Sequence, residues 1–261
     1  MGLTLHAENL SFAYPGRDAV WTNVGLTARP GRVLSILGPN GTGKSTLLLC
    51  LAGLIPTRTG RVLAGDRDIA SLSRRTTARA IAMVPQTHSP VFAYRALDIV
   101  VMGRTPHLGA FASPSDADFH AARSAMETMG IQHLENVSYS ETSGGERQLI
   151  LFARSLAQGA DILLLDEPTS HLDFGNQART LSLIRSLADR GLTVIMTTHF
   201  PDHAFEISDQ TALLARGRLQ AVGATGEVLS PEALSSLYGL GVDIHRLNNG
   251  KTVCTVRRED P

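Results

Sequence analysis

The sequence predicts an α/β protein built on a parallel sheet. Three observations carry that expectation. Strand-type apolar runs alternate with helical stretches along the chain, the pattern of repeated strand–helix–strand units. Two of the runs, Ile162-Leu163-Leu164-Leu165 and Val194-Ile195-Met196-Thr197-Thr198, lack a charged face, as strands covered on both sides require. A glycine-rich loop, Gly38-Pro39-Asn40-Gly41-Thr42-Gly43-Lys44-Ser45, joins an apolar strand to an apolar helix.

Bulk composition bounds the rest. The 261 residues suffice for one large domain, or for a core carrying an inserted subdomain. Hydrophobic residues make up 43% and charged residues 18%, so a sizeable core can form. Lys+Arg and Asp+Glu number 24 each, which argues against the basic surface of a nucleic-acid partner. The only cysteines are Cys50 and Cys254, too few for a disulfide framework and suited to a reducing compartment. The first residues lack the basic and apolar regions of a secretory signal. The longest apolar run, residues 47–55, contains Gly53 and is too short to span a bilayer. The chain is expected to be soluble and to reach a membrane only by docking on something that spans it.

In order, residues 3–7 and 10–14 alternate and read as two strands of a half-exposed sheet. Pro15-Gly16 makes a turn, and residues 20–26 form another strand. Pro30-Gly31 resets the chain before the strand at 34–37 and the helix after the loop. Residues 61–65 are a short strand and turn; 71–79 are polar and rich in Arg and Thr; 81–86 are a strand ending at Pro85. From about Thr87 the texture changes, with Pro90, Pro106, Gly109 and Pro114 before a helical stretch at 117–129. This reads as a helical insertion ending near Tyr139. Ser143 and Glu146 then fit a capping box that opens a helix through Ala157. The strand at 162–165, an amphipathic helix at 177–187 and the strand at 192–198 follow. A hairpin around Arg216-Gly217, a short helix at 231–237 and strands at 242–244 and 252–256 complete the chain.

The chemistry gathers in separated motifs. Gly38 to Ser45 fits G-x-x-x-x-G-K-[ST], a loop whose backbone N–H groups cradle phosphates at a helix N-terminus. Gly38, Pro39, Asn40, Gly41, Thr42 and Gly43 form the cradle. Lys44 neutralises β- and γ-phosphate charge, Ser45 holds Mg²⁺, and Thr46 stands beside it. The apolar strand 162–165 ends in Asp166-Glu167, a Walker B type of segment. Asp166 is suited to Mg²⁺ and Glu167 to polarising a water. Taken alone, Asp166-Glu167 also fits a solvated acidic pair, and Ser143-Gly144-Gly145 a flexible turn.

With Ser143-Gly144-Gly145-Glu146 placed shortly before that strand, the chain resembles the ATP-binding cassette (ABC) ATPases, whose signature reads L-S-G-G-Q. Thr142 and Glu146 depart from that signature; Ser143, Gly144 and Gly145 keep it. The resemblance covers essentially the whole chain and implies a fold. A RecA-like parallel-sheet core (1–87 and 159–261) carries an N-terminal antiparallel β subdomain and an inserted helical subdomain (about 88–158), all one domain over 1–261. It also implies roles. Tyr14 stacks on adenine, Gln86 senses Mg²⁺ and the attacking water, Asp173 crosses a dimer interface, and His199 contacts the γ-phosphate. Ser143, Gly144 and Gly145 bind the γ-phosphate of ATP held by a second copy, so a homodimer is part of the implied mechanism.

A narrower resemblance rests on Asp98 to His107 and Asp166 to Gln177. These segments look like the ATPases of bacterial importers for iron–siderophores, haem, cobalamin and, in one branch, molybdate or tungstate. That family works at the cytoplasmic face of the inner membrane with a permease dimer and, indirectly, a substrate-binding protein. Val91, Phe92, Ala93, Tyr94, Met102, Gly103 and Arg104 are then candidates for the groove that receives the permease. Packing within the helical subdomain accounts for each of them equally well. The rival readings are a non-transport ABC ATPase and another P-loop nucleotide-binding regulator. Neither accounts for the single cassette, the neutral charge, Ser143-Gly144-Gly145 and His199 together.

Overall fold

The computed structural model describes residues 2–86, 94–109, 111–170 and 172–257. Strands β1 (Leu5–Ala13) and β2 (Ala19–Ala28) pair antiparallel. The two strands expected at 3–7 and 10–14 are one continuous strand. A bulge at Asn9, which takes φ +50°, keeps both halves in the sheet. β3 (Val33–Leu37) leads through the glycine loop to helix α1 (Lys44–Leu51). β4 (Thr59–Ala64) joins the other edge of β1, and β5 (Arg67–Asp68) joins β4. Gly60 permits the β4 approach, since a Cβ there would lie 2.3 Å from the Glu8 carbonyl oxygen. The polar segment rich in Arg and Thr forms α2 (Arg74–Ala80), with Ser73 capping it by accepting from the Thr76 N–H.

β6 (Ile81–Val84) precedes the helices α3 (Ala96–Val101), α4 (Asp116–Thr128) and α5 (Gly144–Ala157). These three pack on one another. Arg104 ties them internally: its Nε donates to Asp118 Oδ1 at 3.0 Å and its Nη1 to the Ala157 carbonyl at 2.9 Å. Gly103 lets that turn approach α5, because a Cβ would meet the Arg154 carbonyl oxygen at 2.1 Å. Of the groove candidates, Gly103 and Arg104 are therefore occupied in packing, while Tyr94 and Met102 are exposed. Val91, Phe92 and Ala93 lie outside the described residues.

The chain continues through β7 (Ile162–Leu165), α6 (Phe174–Asp189), β8 (Thr193–Thr198) and α7 (Pro201–Ile207). The expected late hairpin is β9 (Gln210–Ala215) with β10 (Arg218–Ala224). A short α8 (Thr225–Val228), α9 (Pro231–Tyr238) and an antiparallel pair, β11 (Val242–Arg246) with β12 (Thr252–Val256), close the fold.

The central sheet runs β10-β9-β3-β8-β7-β6, parallel except for β10. A four-stranded antiparallel sheet, β2-β1-β4-β5, lies beside it. Alternate residues of the central strands face opposite layers. Leu34, Ile36, Ile162, Leu164 and Ile195 join the apolar cluster of the antiparallel sheet and α1. Val33, Leu163, Leu165, Val194 and Met196 join the cluster built with α3–α6. Burial on both faces explains why these strands show no polar side in the sequence.

Candidate functional site

The order of the parallel strands assembles the site. β3, β8, β7 and β6 are consecutive neighbours, in register Leu37↔Thr198, Met196↔Leu165 and Leu165↔Val84. Their carboxyl ends therefore release Gly38, His199, Asp166-Glu167 and Pro85-Gln86 at one edge of one sheet. Ligands of open α/β sheets bind at this kind of edge. Elements separated by more than a hundred residues are brought together by backbone pairing alone.

The glycine loop is backbone-determined. Gly38 passes so close to β9 that a Cβ would lie 2.2 Å from the Leu214 carbonyl oxygen. Gly43 takes φ +90° as the N-cap of α1, and a Cβ there would lie 2.4 Å from Val20 Cγ1 and 3.0 Å from Trp21 Cδ1. Thr42 donates its hydroxyl to the Pro39 carbonyl at 2.9 Å. Lys44 is almost buried. Its Nζ donates to the carbonyls of Gly38 (2.8 Å) and Pro39 (3.1 Å) and stands 3.3 Å from Glu167 Oε1. Two of its N–H donors are thus held by backbone carbonyls, and its charge faces the Glu167 carboxylate.

Glu167 is the hub. Lys44 meets one of its oxygens; Gln86 Nε2 donates to the other at 3.2 Å, and His199 Nδ1 lies 3.2 Å from that same oxygen. Its backbone sits at φ +45°, a strained conformation for a residue with a Cβ. Neighbours hold it there. The Glu167 N–H donates to Thr197 Oγ1 at 2.9 Å, while its carbonyl accepts from the Ser170 N–H and hydroxyl. The Thr197 hydroxyl in turn donates to Asp166 Oδ1 at 2.7 Å. One buried threonine thus holds the Asp166 carboxylate and the Glu167 backbone. Its β-branched side chain reads in sequence as ordinary strand filler, and only its place beside β7 reveals the task.

Lys44, Gln86 and Glu167 line an open cleft of about 530 Å³ together with Tyr14, Asn40, Gly41, Gly43, Ser45 and Thr46. Arg17, Asp18 and Val20 complete its rim and carry no motif that would single them out. Ser45 is exposed to the cleft. Tyr14 Oη lies 3.1 Å from Thr46 Oγ1, and its ring packs edge-on against Phe12, which contacts the buried Trp21 beneath Gly43.

Ser143, Gly144 and Gly145 stand apart from this cleft. Ser143 and Gly145 border a separate cavity of about 480 Å³ with Leu172, Asn176 and Arg179. Ser143 is the N-cap of α5: it accepts from the Glu146 N–H, and Glu146 Oε2 accepts from the Ser143 N–H at 2.7 Å. Those bonds to Ser143, its backbone N–H above all, hold the Glu146 carboxyl below its usual range. Glu146, where the L-S-G-G-Q signature has glutamine, thus forms a capping box with Ser143. Thr142, at the leucine position, is buried and donates its hydroxyl to the Tyr139 carbonyl at 2.8 Å. Asp173 is exposed and caps α6, accepting from the Asn176 N–H at 2.8 Å. His171 lies outside the described residues.

The chain as a whole has counterparts among known proteins. Residues 21–170 match the family model described as ABC transporter. The haemin import ATP-binding protein of Bordetella pertussis is 40% identical over 93% of this chain and 94% of its own length. The molybdate import ATP-binding protein of Haemophilus influenzae is 38% identical over 92% and 90%. A solved structure of the metal-chelate type of ABC transporter, in an inward-facing conformation, is 34% identical, covers 98% of each chain and superposes with a TM-score of 0.87. The chain belongs to the ABC transporter family and carries its ATP-binding cassette.

Proposed function

We propose that this chain is the ATP-hydrolysing subunit of a bacterial importer for a metal chelate (iron–siderophore, haem or cobalamin) or an oxyanion such as molybdate. The observation that carries the reading is the division of the site. One chain gathers Lys44, Gln86, Asp166, Glu167 and His199 at a single sheet edge, yet leaves Ser143 and Gly145 beside a different cavity. Two copies closing head to tail would set the exposed N-terminus of one α5 against the phosphates held by the other chain. The names of the import relatives and the metal-chelate structure support the direction and the cargo class.

In this reading Tyr14 stacks on the adenine. Gly38, Pro39, Asn40, Gly41, Thr42, Gly43 and Thr46 wrap the phosphates with backbone N–H groups and hydroxyls. Ser45 and Asp166 hold Mg²⁺; Thr197 engages one oxygen of Asp166, and the other serves as a hard acceptor. Mg²⁺ supplies charge neutralisation on the phosphates. Glu167 accepts the proton of the attacking water, Gln86 and His199 fix its carboxylate, and His199 meets the reacting phosphate. Asp173 crosses to the partner copy. The cassette is a single domain over 1–261, with a helical subdomain at about 88–158.

Among the described residues no helix is long and apolar enough to cross a membrane. In this reading the chain works peripherally, docked on the cytoplasmic face of a permease dimer that receives cargo from a substrate-binding protein. Proteoliposomes holding the chain with its cognate permease test this. Haem or molybdate should accumulate when ATP is supplied on the chain's side, and Lys44→Ala should abolish the uptake. Hydrolysis with no accumulation of any metal chelate or oxyanion contradicts the importer reading.

A further inference from the structure

The segment that begins at α8 lies outside every motif named above, yet it grips the backbone that carries His199. Tyr238, the last residue of α9, donates its hydroxyl to the His199 carbonyl at 2.8 Å, across 39 residues of chain. A second grip lies three residues further on. Asp202, in the first turn of α7, accepts the Cys254 N–H of β12 at 2.8 Å through Oδ1. The grips share one rigid base. Ser230 caps α9 by accepting from the Ala233 N–H, and Ser235 accepts the Val242 N–H that starts β11. Leu229, Leu234 and Val242 form an apolar cluster with Ala204 of α7 and with Leu37, the residue before Gly38.

We infer that Tyr238 is a positioning residue for ATP hydrolysis, holding the backbone of His199 so that the C-terminal segment sets where the imidazole stands against Glu167. The inference rests on the role given to His199 above. The geometry suits it. His199 Nδ1 is only 3.2 Å from Glu167 Oε2, so a small rotation of the loop after β8 breaks that contact. Phe200, next in the chain, has its ring 3.9 Å from the imidazole centroid and cannot fix the His199 carbonyl itself. Burial pushes the Tyr238 phenol well above its usual range.

Steady-state ATP hydrolysis by Tyr238→Phe tests the inference, since the ring stays and only the hydroxyl goes. A single hydrogen bond of this kind predicts a fall in kcat of about three- to tenfold. KM for ATP should stay within about twofold, because nucleotide contacts are untouched. In a His199→Ala background the same substitution should cost nothing further, because the residue it acts through is gone. Asp202→Ala releases β12 and leaves Tyr238 intact. It should show the same split between kcat and KM, and it carries the test alone if Tyr238→Phe does not fold. An unchanged kcat in a folded Tyr238→Phe or Asp202→Ala protein overturns the inference, as does an undiminished loss in the His199→Ala background. Full turnover by His199→Ala alone would instead overturn the role assigned to His199.

Discussion

Lys44 Nζ donates to the Gly38 and Pro39 carbonyls and forms an ion pair with Glu167. A phosphate entering the loop therefore competes with the Glu167 carboxylate for the ammonium. In the proposed reading that exchange would free Glu167 to face water as nucleotide arrives, linking binding to the readiness of the base through one side chain. Lys44→Ala removes charged hydrogen bonds worth about 1.5–3 kcal/mol and should weaken ATP binding roughly ten- to a hundredfold, read by nucleotide titration. Glu167→Gln keeps the shape and removes the proposed base. It should lower kcat about 10²–10⁴-fold while ATP still binds, read by turnover and by the same titration. Gly38 to Ser45 stands out by itself as a motif, whereas Asp166-Glu167 and Ser143-Gly144-Gly145 stand out only in combination with it. Thr197 does not stand out, since a buried threonine in a strand looks the same whether or not a carboxylate lies beside it.

Among elements, the helices α3–α5 show how local chemistry is hidden by generic texture. The sequence displayed the capping box at Ser143 and Glu146, because cap and helix are contiguous. It did not display α2, whose Arg- and Thr-rich surface has no apolar stripe, nor the single strand β1, because Asn9 interrupts the alternation with a bulge. Asp118 joins α4 to the rest of the bundle. Hydrogen bonds from Ser115, then from Arg104, pull its carboxyl down to about 2. Its folded pKa lies below its unfolded value near 4, so its stabilisation is complete above about pH 4 and is lost as pH falls toward 2. Acid denaturation followed by circular dichroism should show this step, and Asp118→Asn should flatten the stability profile between those limits. A profile unchanged by the substitution would remove Asp118 from the account.

For the whole molecule, register explains the cleft. The strand neighbours β3-β8-β7-β6 place residues 38, 199, 166–167 and 86 at one edge, and that adjacency is not written in any local pattern. Sequence order alone suggested a parallel core; which strands touch depends on long-range pairing that single-chain periodicity does not encode. The same topology leaves Ser143, Gly144 and Gly145 away from the cleft, and in the proposed reading a second copy supplies them. The direct measurement is the mass in solution of the Glu167→Gln protein by light scattering, with and without Mg²⁺ and ATP. A shared site requires a monomer that becomes a dimer on adding ATP and reverts when ATP is removed, with dimerisation lost in Ser143→Arg. A Glu167→Gln protein that binds ATP and stays monomeric contradicts it.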